Sequence, residues 1–296
     1  MQAAIWGLAF QVHPYHWPVI GSVEDVSGLT TPDLNSWYHA HYQPGNATIV
    51  VVGDINADRT LELIKKYYGS IPGRGQPKRE IAPEPPQNGE RRLTLFDGGI
   101  ASERFIQAYH SPSANEDDSY AMDILSNILF EGASSRAYRK LVDQMNIMED
   151  VAGTDFTPTY PGLFMISGTM KNGVPSAQAE EALDQLIRDI QEHGVTAQEI
   201  QVAVRQLTVQ TVDSIATPHG MAELLGTIVT VLNHPHSIED DLEKYEHVTA
   251  ADVQRVANKY LTPNTRSIVV LAPASEKRAE NKTAAAAAAK REGGRR

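Results

Sequence analysis

The sequence contains the same pattern twice, and this internal repeat constrains the fold more than any other feature. The first copy runs from Leu29 to Val52 and the second from Val248 to Leu271. Each copy has a Thr-x-x-Asp motif, then a proline, then a run of four apolar residues. The landmarks keep one offset of 219 residues: 30 to 249, 33 to 252, 44 to 263 and 49 to 268. Landmarks that share one offset indicate two homologous units in a single chain.

Each copy predicts a helix followed by a strand. Thr30 and Thr249 each stand three residues before an Asp, which predicts a helix N-cap with a capping box. The Asp also favours the positive end of the helix dipole. The proline predicts the end of the helix. The apolar run that follows, Ile49–Val52 or Ile268–Leu271, predicts a buried strand.

Composition along the chain predicts where the domains end. Residues 71–90 are rich in Pro and Gly, which predicts an interdomain linker. We therefore expect residues 1–70 to be the C-terminal part of a first domain and residues 91–273 to be a second domain. Residues 274–296 include six consecutive alanines and predict a low-complexity tail.

The two units are unequal in length. By the offset, Met1 corresponds to Gly220, so residues 91–219 have no counterpart in the first unit. We expect the first unit to lack roughly its first 130 residues.

The second unit predicts strands first and helices afterwards. Residues 91–96 alternate polar and apolar side chains, as a half-buried strand does. Residues 177–193 place apolar side chains at helical spacing and end at Gly194. The other predicted elements are strands at 105–109, 150–156 and 162–168, and helices at 117–129, at 134–141 with Ser134 as N-cap, and from a Thr196–Glu199 capping box onward. This order predicts an α+β fold with helices on one sheet face.

Composition excludes several classes of partner and site. The net charge of −11 argues against nucleic acid as the main partner, because phosphate binding draws on clustered Lys and Arg. The chain has no cysteine, which excludes disulfides and thiolate metal sites. No apolar run approaches the roughly 20 residues of a membrane-spanning helix, so we expect a soluble protein.

Several motifs together resemble the M16 (pitrilysin/insulinase) family of zinc metallopeptidases, and its bacterial members in particular. The motifs are His13-Pro14-Tyr15-His16, Leu29-Thr30-x-x-Asp33-Leu34, Tyr42-x-Pro44-x-Asn46, Val51-Val52-Gly53-Asp54, Tyr120 to Leu129, and Gly132-Ala-Ser-Ser-Arg136. The resemblance covers residues 1–273 and implies two homologous α+β units of the M16 type, the first incomplete. It also implies, for complete members, peptide hydrolysis by Zn²⁺ held by a His-x-x-Glu-His motif and a distal Glu.

The family's zinc motif is absent from this sequence, which contains no His-x-x-Glu-His. In the second unit, the resemblance places the equivalent positions at Asp123, Ser126 and Asn127, none of which carries an imidazole. The Arg and Tyr with which many members grip substrate would fall at Val142 and Glu149. We therefore expect no catalytic residue, no metal ligand and no cofactor in this chain, and we leave substrate-binding residues unassigned.

The histidines outside that motif favour a structural interpretation. His13 and His16 lie three residues apart and could share a metal, but the second unit keeps a His-Pro pair at His234, which favours a structural turn. His39 and His41 lie two residues apart on a predicted helix and so point to different faces.

Two functions of different classes stay open on the sequence. The leading hypothesis is an M16-type zinc metallopeptidase-like protein that is catalytically incomplete, so that this chain alone does not cleave peptides. The alternative is a non-catalytic substrate-binding or assembly subunit that partners a zinc-bearing M16 chain. An unrelated α+β binding domain is a more remote third. The expected partners are a peptide substrate or a zinc-bearing M16 chain, in a homo- or heterodimer. The compartment, bacterial periplasm or cytoplasm, stays open.

Overall fold

Residues 1–73, 75, 80–232 and 237–275 are described by the computed structural model, in which the chain divides into two units. Unit 1 comprises Met1–His16, Glu84–Ala203 and the residues from His247 onward. Unit 2 comprises Trp17–Pro83 and Val204–Glu246.

The packing units and the predicted domains divide the chain on different grounds. The predicted domains, 1–70 and 91–273, follow the repeat and stay a prediction. Packing instead joins Met1–His16 to unit 1, since this segment lies against the sheet. Packing also places the end of the predicted linker, from Glu84, in unit 1. Most of the predicted tail, from residue 276, lies outside the described residues.

Ten α-helices and five strands are found in the described part of the chain. The helices are α1 (Gln2–Ala9), α2 (Val23–Gly28), α3 (Thr31–His41), α4 (Ala57–Tyr68), α5 (Asp118–Phe130), α6 (Ser176–His193), α7 (Ala197–Ser214), α8 (Pro218–Thr227), α9 (Ile238–His247) and α10 (Ala250–Tyr260). The strands are β1 (Arg91–Asp97), β2 (Arg104–His110), β3 (Met148–Phe156), β4 (Leu163–Met170) and β5 (Arg266–Pro273). The predicted α+β fold class is confirmed.

All five strands belong to one sheet in unit 1, in the order β1-β5-β2-β4-β3. β5 pairs parallel with β1 and antiparallel with β2, so it has a neighbour on both sides. β4 lies between β2 and β3 and is antiparallel to both. Each strand predicted in the second unit is therefore found, and the continuous apolar run of β5 is explained because both of its faces are covered.

α1 covers one face of the sheet. Ile5, Ala9 and Phe10 are buried against a layer that includes Ile106 and Val269. The sequence predicted that the helices of the second unit pack on one face of the sheet; α1, from the predicted first domain, adds a further cover over β1, β2 and β5. Successive residues of β2 and β5 point to opposite faces of the sheet, and both strands carry buried apolar residues on each face. Both faces therefore need a cover.

The turn after α1 is held by the carboxylate of Glu84. Its oxygens accept hydrogen bonds from the consecutive backbone N–H groups of Gln11, Val12 and His13, at 2.8, 2.8 and 2.9 Å. Successive N–H groups that converge in this way form an anion-binding concavity. Burial alone would raise the pKa of Glu84, but these donors together hold it below its ordinary value.

α5 packs on β3, and α10 packs on α5 and α6. The approach of α5 to the sheet is close at Gly153, where an added Cβ would lie 2.1 Å from a ring carbon of Phe130. A side chain larger than hydrogen at Gly153 would therefore force the helix away from β3. The ring of Phe130 also contacts that of Phe164 on β4.

The two copies of the repeat begin alike and end differently. Thr30 and Thr249 both form the predicted capping box, which is confirmed in each copy. The predicted strand is found in the second copy as β5. In the first copy the prediction is wrong: Ile49–Val52 lies in no strand. β5 has β1 and β2 as neighbours, whereas no strand pairs with residues 49–52 among those described.

The helix predicted at 134–141 is found in a different form. It is a π-helical segment, Tyr138–Gln144, and the residue before it is Ala137. Ser134 is therefore not its N-cap, because the chain first makes a turn in which the Ser135 N–H donates to the Gly132 carbonyl.

Among the described residues, no single helix is long and apolar enough to cross a membrane. α7 and the helical segment Pro218–Leu232 meet that test of length and composition only together, as a pair bent by 113°.

Candidate functional site

The positions that the resemblance equates with a zinc site lie on α5. Asp123, Ser126 and Asn127 are spaced i, i+3 and i+4, so they share one face of the helix. Asn127 is buried, and the other two are half-buried. Together they present a carboxylate, a hydroxyl and an amide.

These positions do not fit zinc. Protein zinc sites draw on imidazole or thiolate ligands, supplemented by carboxylates, in a set of three or four. Asp123 is the one residue of the three that belongs to this class of ligands. No group of three or more His, Cys, Asp or Glu that could hold a metal is found in the described part of the chain. We therefore derive no catalytic step through a metal here.

A second carboxyl group faces the same helix from β3. Asp155 alternates with Val151 and Gly153 along the strand, so it points to the sheet face on which α5 packs. Both of its carboxyl oxygens are buried and have no hydrogen-bond partner among the described residues.

The environment of Asp155 favours its neutral form. The pKa of Asp155 is raised to about 8; burial contributes most to this shift, the negative charge of Asp123 adds to it, and the hydroxyl of Ser111 opposes it. At neutral pH this face of the sheet therefore holds a protonated acid close to a second carboxyl group.

Sequence reasoning identified Asp123 but missed Asp155. The signal was available in the strand Asp150–Phe156, where a period of two places Asp155 on the same face as the buried Val151. A carboxyl on the inward face of a strand is uncommon enough to be singled out from sequence.

Two other charged clusters of unit 1 are ion pairs. Burial would raise the pKa of Asp118, but hydrogen bonds from Lys259, Arg255 and Tyr260 lower it to about 2. Arg136 pairs with Glu199 at 2.7 Å. Each of these carboxylates has a cationic partner, in contrast to Asp155.

Of the histidines predicted to be structural, His39 and His41 lie on α3, whereas His13 and His16 lie in the turn after α1. His13 is buried in the turn held by Glu84; its Nδ1 faces the Tyr15 N–H at 3.2 Å and its Nε2 has no partner among the described residues. Burial lowers the pKa of His13, and Glu84 opposes that shift. Nδ1 of His16 lies 2.6 Å from the Phe10 carbonyl oxygen. His234 lies outside the described residues.

The positions equated with a substrate grip carry neither a guanidinium nor a phenol. Val142 lies in the π-helical segment and is half-buried, and Glu149 is exposed at the start of β3. The strand is irregular here, since its pairing with β4 shifts between Met148 and Asp150. We assign no substrate-binding residue to this region.

A pocket of about 180 Å³ lies elsewhere in unit 1, lined by Ala101, Glu103, Gly173, Val174 and Pro175. The carboxylate of Glu103 is already engaged there, because it accepts a hydrogen bond of 2.7 Å from the Ser176 N–H at the start of α6. The Glu103 carboxylate thus accepts from the first turn of α6, and no function is assigned to the pocket.

Comparison with known proteins identifies the family. Residues 28–207 match the peptidase M16 inactive domain. A relative named zinc protease PqqE, from Helicobacter pylori, is 28% identical over 271 residues, which are 90% of this chain and 60% of that protein. The chain thus spans about 60% of the length of this relative.

Solved structures show the same fold. A protease from Helicobacter pylori superposes with a TM-score of 0.85 at 24% identity, covering 91% of this chain and 65% of that one. The peptidase M16 inactive domain from Pseudomonas fluorescens gives a TM-score of 0.80 at 18% identity, with coverages of 92% and 65%.

Proposed function

This chain belongs to the peptidase M16 family, and on that premise we propose that it forms the inactive part of a zinc-dependent peptidase. The chain is catalytically incomplete: its 296 residues contain no His-x-x-Glu-His. It would contribute the surface on which a peptide lies, while a zinc-bearing M16 polypeptide supplies the chemistry.

One observation carries this proposal. The α5 positions Asp123, Ser126 and Asn127 keep the spacing of the family's zinc motif but present no imidazole. A helix that packs on the sheet and carries no imidazole at these positions supports a scaffold function over catalysis. The proposed setting is bacterial, either periplasmic or cytoplasmic, since the relative described above is from a bacterium.

Zinc content and peptidase activity test the proposal on the purified chain. The chain is loaded with ZnCl₂, dialysed and analysed by mass spectrometry for bound zinc. Hydrolysis of fluorescence-quenched peptides is then followed with and without EDTA. We expect neither tightly bound stoichiometric zinc nor EDTA-sensitive hydrolysis. The Helicobacter pylori zinc protease, assayed in parallel, is the positive control.

The contrary result is equally clear. One tightly held zinc ion per chain, together with hydrolysis that EDTA abolishes, would show that the chain has a metal site of its own. The proposal would then be wrong.

A further inference from the structure

The chain leaves unit 1 after His16 and re-enters it at Glu84, and these two points are joined by hydrogen bonds. The Glu84 carboxylate accepts from the three consecutive backbone N–H groups of residues 11–13. The last of these N–H groups is 71 residues away in the sequence. We call residues 8–16, Glu84, Arg91 and His110 the neck; Arg91 lies on β1 and His110 on β2, so both attach it to the sheet.

The carbonyl oxygens at the end of α1 are bound by side chains from the sheet. Nη1 of Arg91 donates to the carbonyl oxygens of Leu8 and Ala9 at 3.0 and 2.6 Å. Nε2 of His110 lies 3.1 Å from the Ala9 carbonyl oxygen, and it must carry a hydrogen there because a carbonyl oxygen only accepts. The C-terminal end of a helix carries partial negative charge, which these donors compensate. The sheet therefore holds α1 by its end as well as by its apolar face.

His13 occupies a buried position in the neck that suits only the neutral imidazole. Its side chain is 4% exposed and lies against the rings of Tyr15, Tyr160 and Phe10, with centroids 4.2, 5.2 and 5.7 Å away. Its Nδ1 accepts the Tyr15 N–H at 3.2 Å, so the hydrogen of the neutral ring is on Nε2. A second proton would have to bind Nδ1. It would break that hydrogen bond and place a positive charge in a buried site.

The charged and titratable groups around His13 come from several parts of unit 1: Glu84, Arg91, His110, His16, Tyr15 and Tyr160. Burial lowers the pKa of His13, and the negative charge of Glu84 only partly opposes this shift. Burial also lowers the pKa of His110; Arg91 acts in the same direction, whereas Glu84 and the bond to the Ala9 carbonyl oppose it. Protonation of either ring therefore works against the arrangement seen here.

We propose that the neck is acid-sensitive: it is closed near neutral pH and opens, releasing α1 from the sheet, when His13 and His110 take up protons. The released histidines bind protons more tightly than the buried ones, so opening becomes easier as the pH falls below about 6.5, the ordinary pKa of histidine. Glu84 adds nothing in this range, because its contribution is lost only below its ordinary pKa of 4.5. The neck lies within unit 1, and its opening does not rest on the proposed function.

Hydrogen exchange of the intact chain at pH 7 and pH 5 tests the opening. Each measured rate is divided by that of an unstructured peptide at the same pH, which removes the intrinsic pH dependence of exchange. The protection of amides 5–13 is expected to fall about tenfold or more, since each histidine can shift the opening equilibrium by up to about tenfold per pH unit. Amides of residues 268–271 in β5 should keep their protection, which distinguishes local opening from unfolding of unit 1.

Three variants and one titration identify the responsible group. His13→Asn keeps an acceptor near the position of Nδ1 but takes up no proton, so most of the pH dependence should disappear. His39→Asn changes an exposed histidine on α3 and should leave the pH dependence intact. Glu84→Gln removes the charge that accepts three N–H groups and should lower the protection of amides 11–13 about tenfold already at pH 7. NMR titration of His13 in the wild type, which needs no variant to fold, should give a midpoint below about 6.5.

Four outcomes would overturn the inference. The protection of amides 5–13 is the same at pH 7 and pH 5; or it falls equally in His13→Asn, so that another group is responsible; or residues 268–271 lose protection in parallel, which means general unfolding. The fourth is a titration midpoint of His13 at or above that of histidine in an unstructured peptide.

Discussion

At the scale of single residues, the buried carboxyl group of Asp155 links the stability of unit 1 to pH. Its pKa is about 8 in the folded chain, against an ordinary value of 3.8. Folding therefore favours the protonated form. The free energy of unfolding is highest, as far as Asp155 determines it, below about pH 4, and it falls as the pH rises toward 8. The reason is that the Asp155 carboxyl ionises at a lower pH in the unfolded chain than in the folded chain.

Asp155→Asn is expected to remove this pH dependence. Asn has nearly the same shape but no charge, so its effect at pH 4 should be small. At pH 8 the variant should be more stable than the wild type by about 1.4 kcal/mol or more, the free energy of one pKa unit. Urea unfolding at pH 4, 6 and 8 measures this difference. Asp150→Asn, an exposed change on the same strand, is the control. Equal pH dependence in Asp155→Asn and the wild type would contradict the prediction.

The sequence could predict the residues of this site only in part. The resemblance to the family identified Asp123, Ser126 and Asn127, and the helical period explains why they share one face of α5. Asp155 and Glu84 were missed since each acts through contacts with residues distant in sequence. Glu84 meets backbone N–H groups more than 70 residues away, which no local pattern encodes.

At the scale of elements, local chemistry set the start of each repeat helix. Thr30 N–H and Thr249 N–H donate to the carboxylates of Asp33 and Asp252 at 3.0 and 3.1 Å, so both capping boxes are nearly identical. Such caps involve four adjacent residues and were predictable. The absence of the predicted strand at Ile49–Val52 was not predictable, because strand formation depends on neighbours that the local sequence does not contain.

The matched caps allow a comparison of the two copies. Thr249→Ala should lower the free energy of unfolding of unit 1 by about 1 kcal/mol, because α10 is packed in its core. Thr30→Ala removes the same cap from α3, which buries no residue, and should reduce amide protection in α3 without changing the unfolding of unit 1. Urea unfolding and hydrogen exchange measure the two effects. Equal losses in unit 1 from both changes would contradict this reasoning.

At the scale of the whole molecule, one apolar pattern adopts two structures. Ile268–Leu271 is a central strand with hydrogen-bonded neighbours on both sides, whereas Ile49–Val52 has none among the described residues. The difference lies in the surroundings of each segment and not in its own composition. The repeat therefore contains an internal control for how much of a strand's stability comes from its partners.

Hydrogen exchange of the intact chain tests that interpretation directly. Amides of residues 49–52 should exchange close to the rate of an unstructured peptide, because an unpaired backbone N–H is open to solvent. Amides of residues 268–271 should exchange more slowly by at least about a hundredfold, since they open only when the sheet does. Mass spectrometry of peptic peptides from both segments, at low protein concentration to limit self-association, gives the ratio. Similar protection in the two segments would contradict this interpretation, because it would mean that Ile49–Val52 is as well ordered as the paired strand β5.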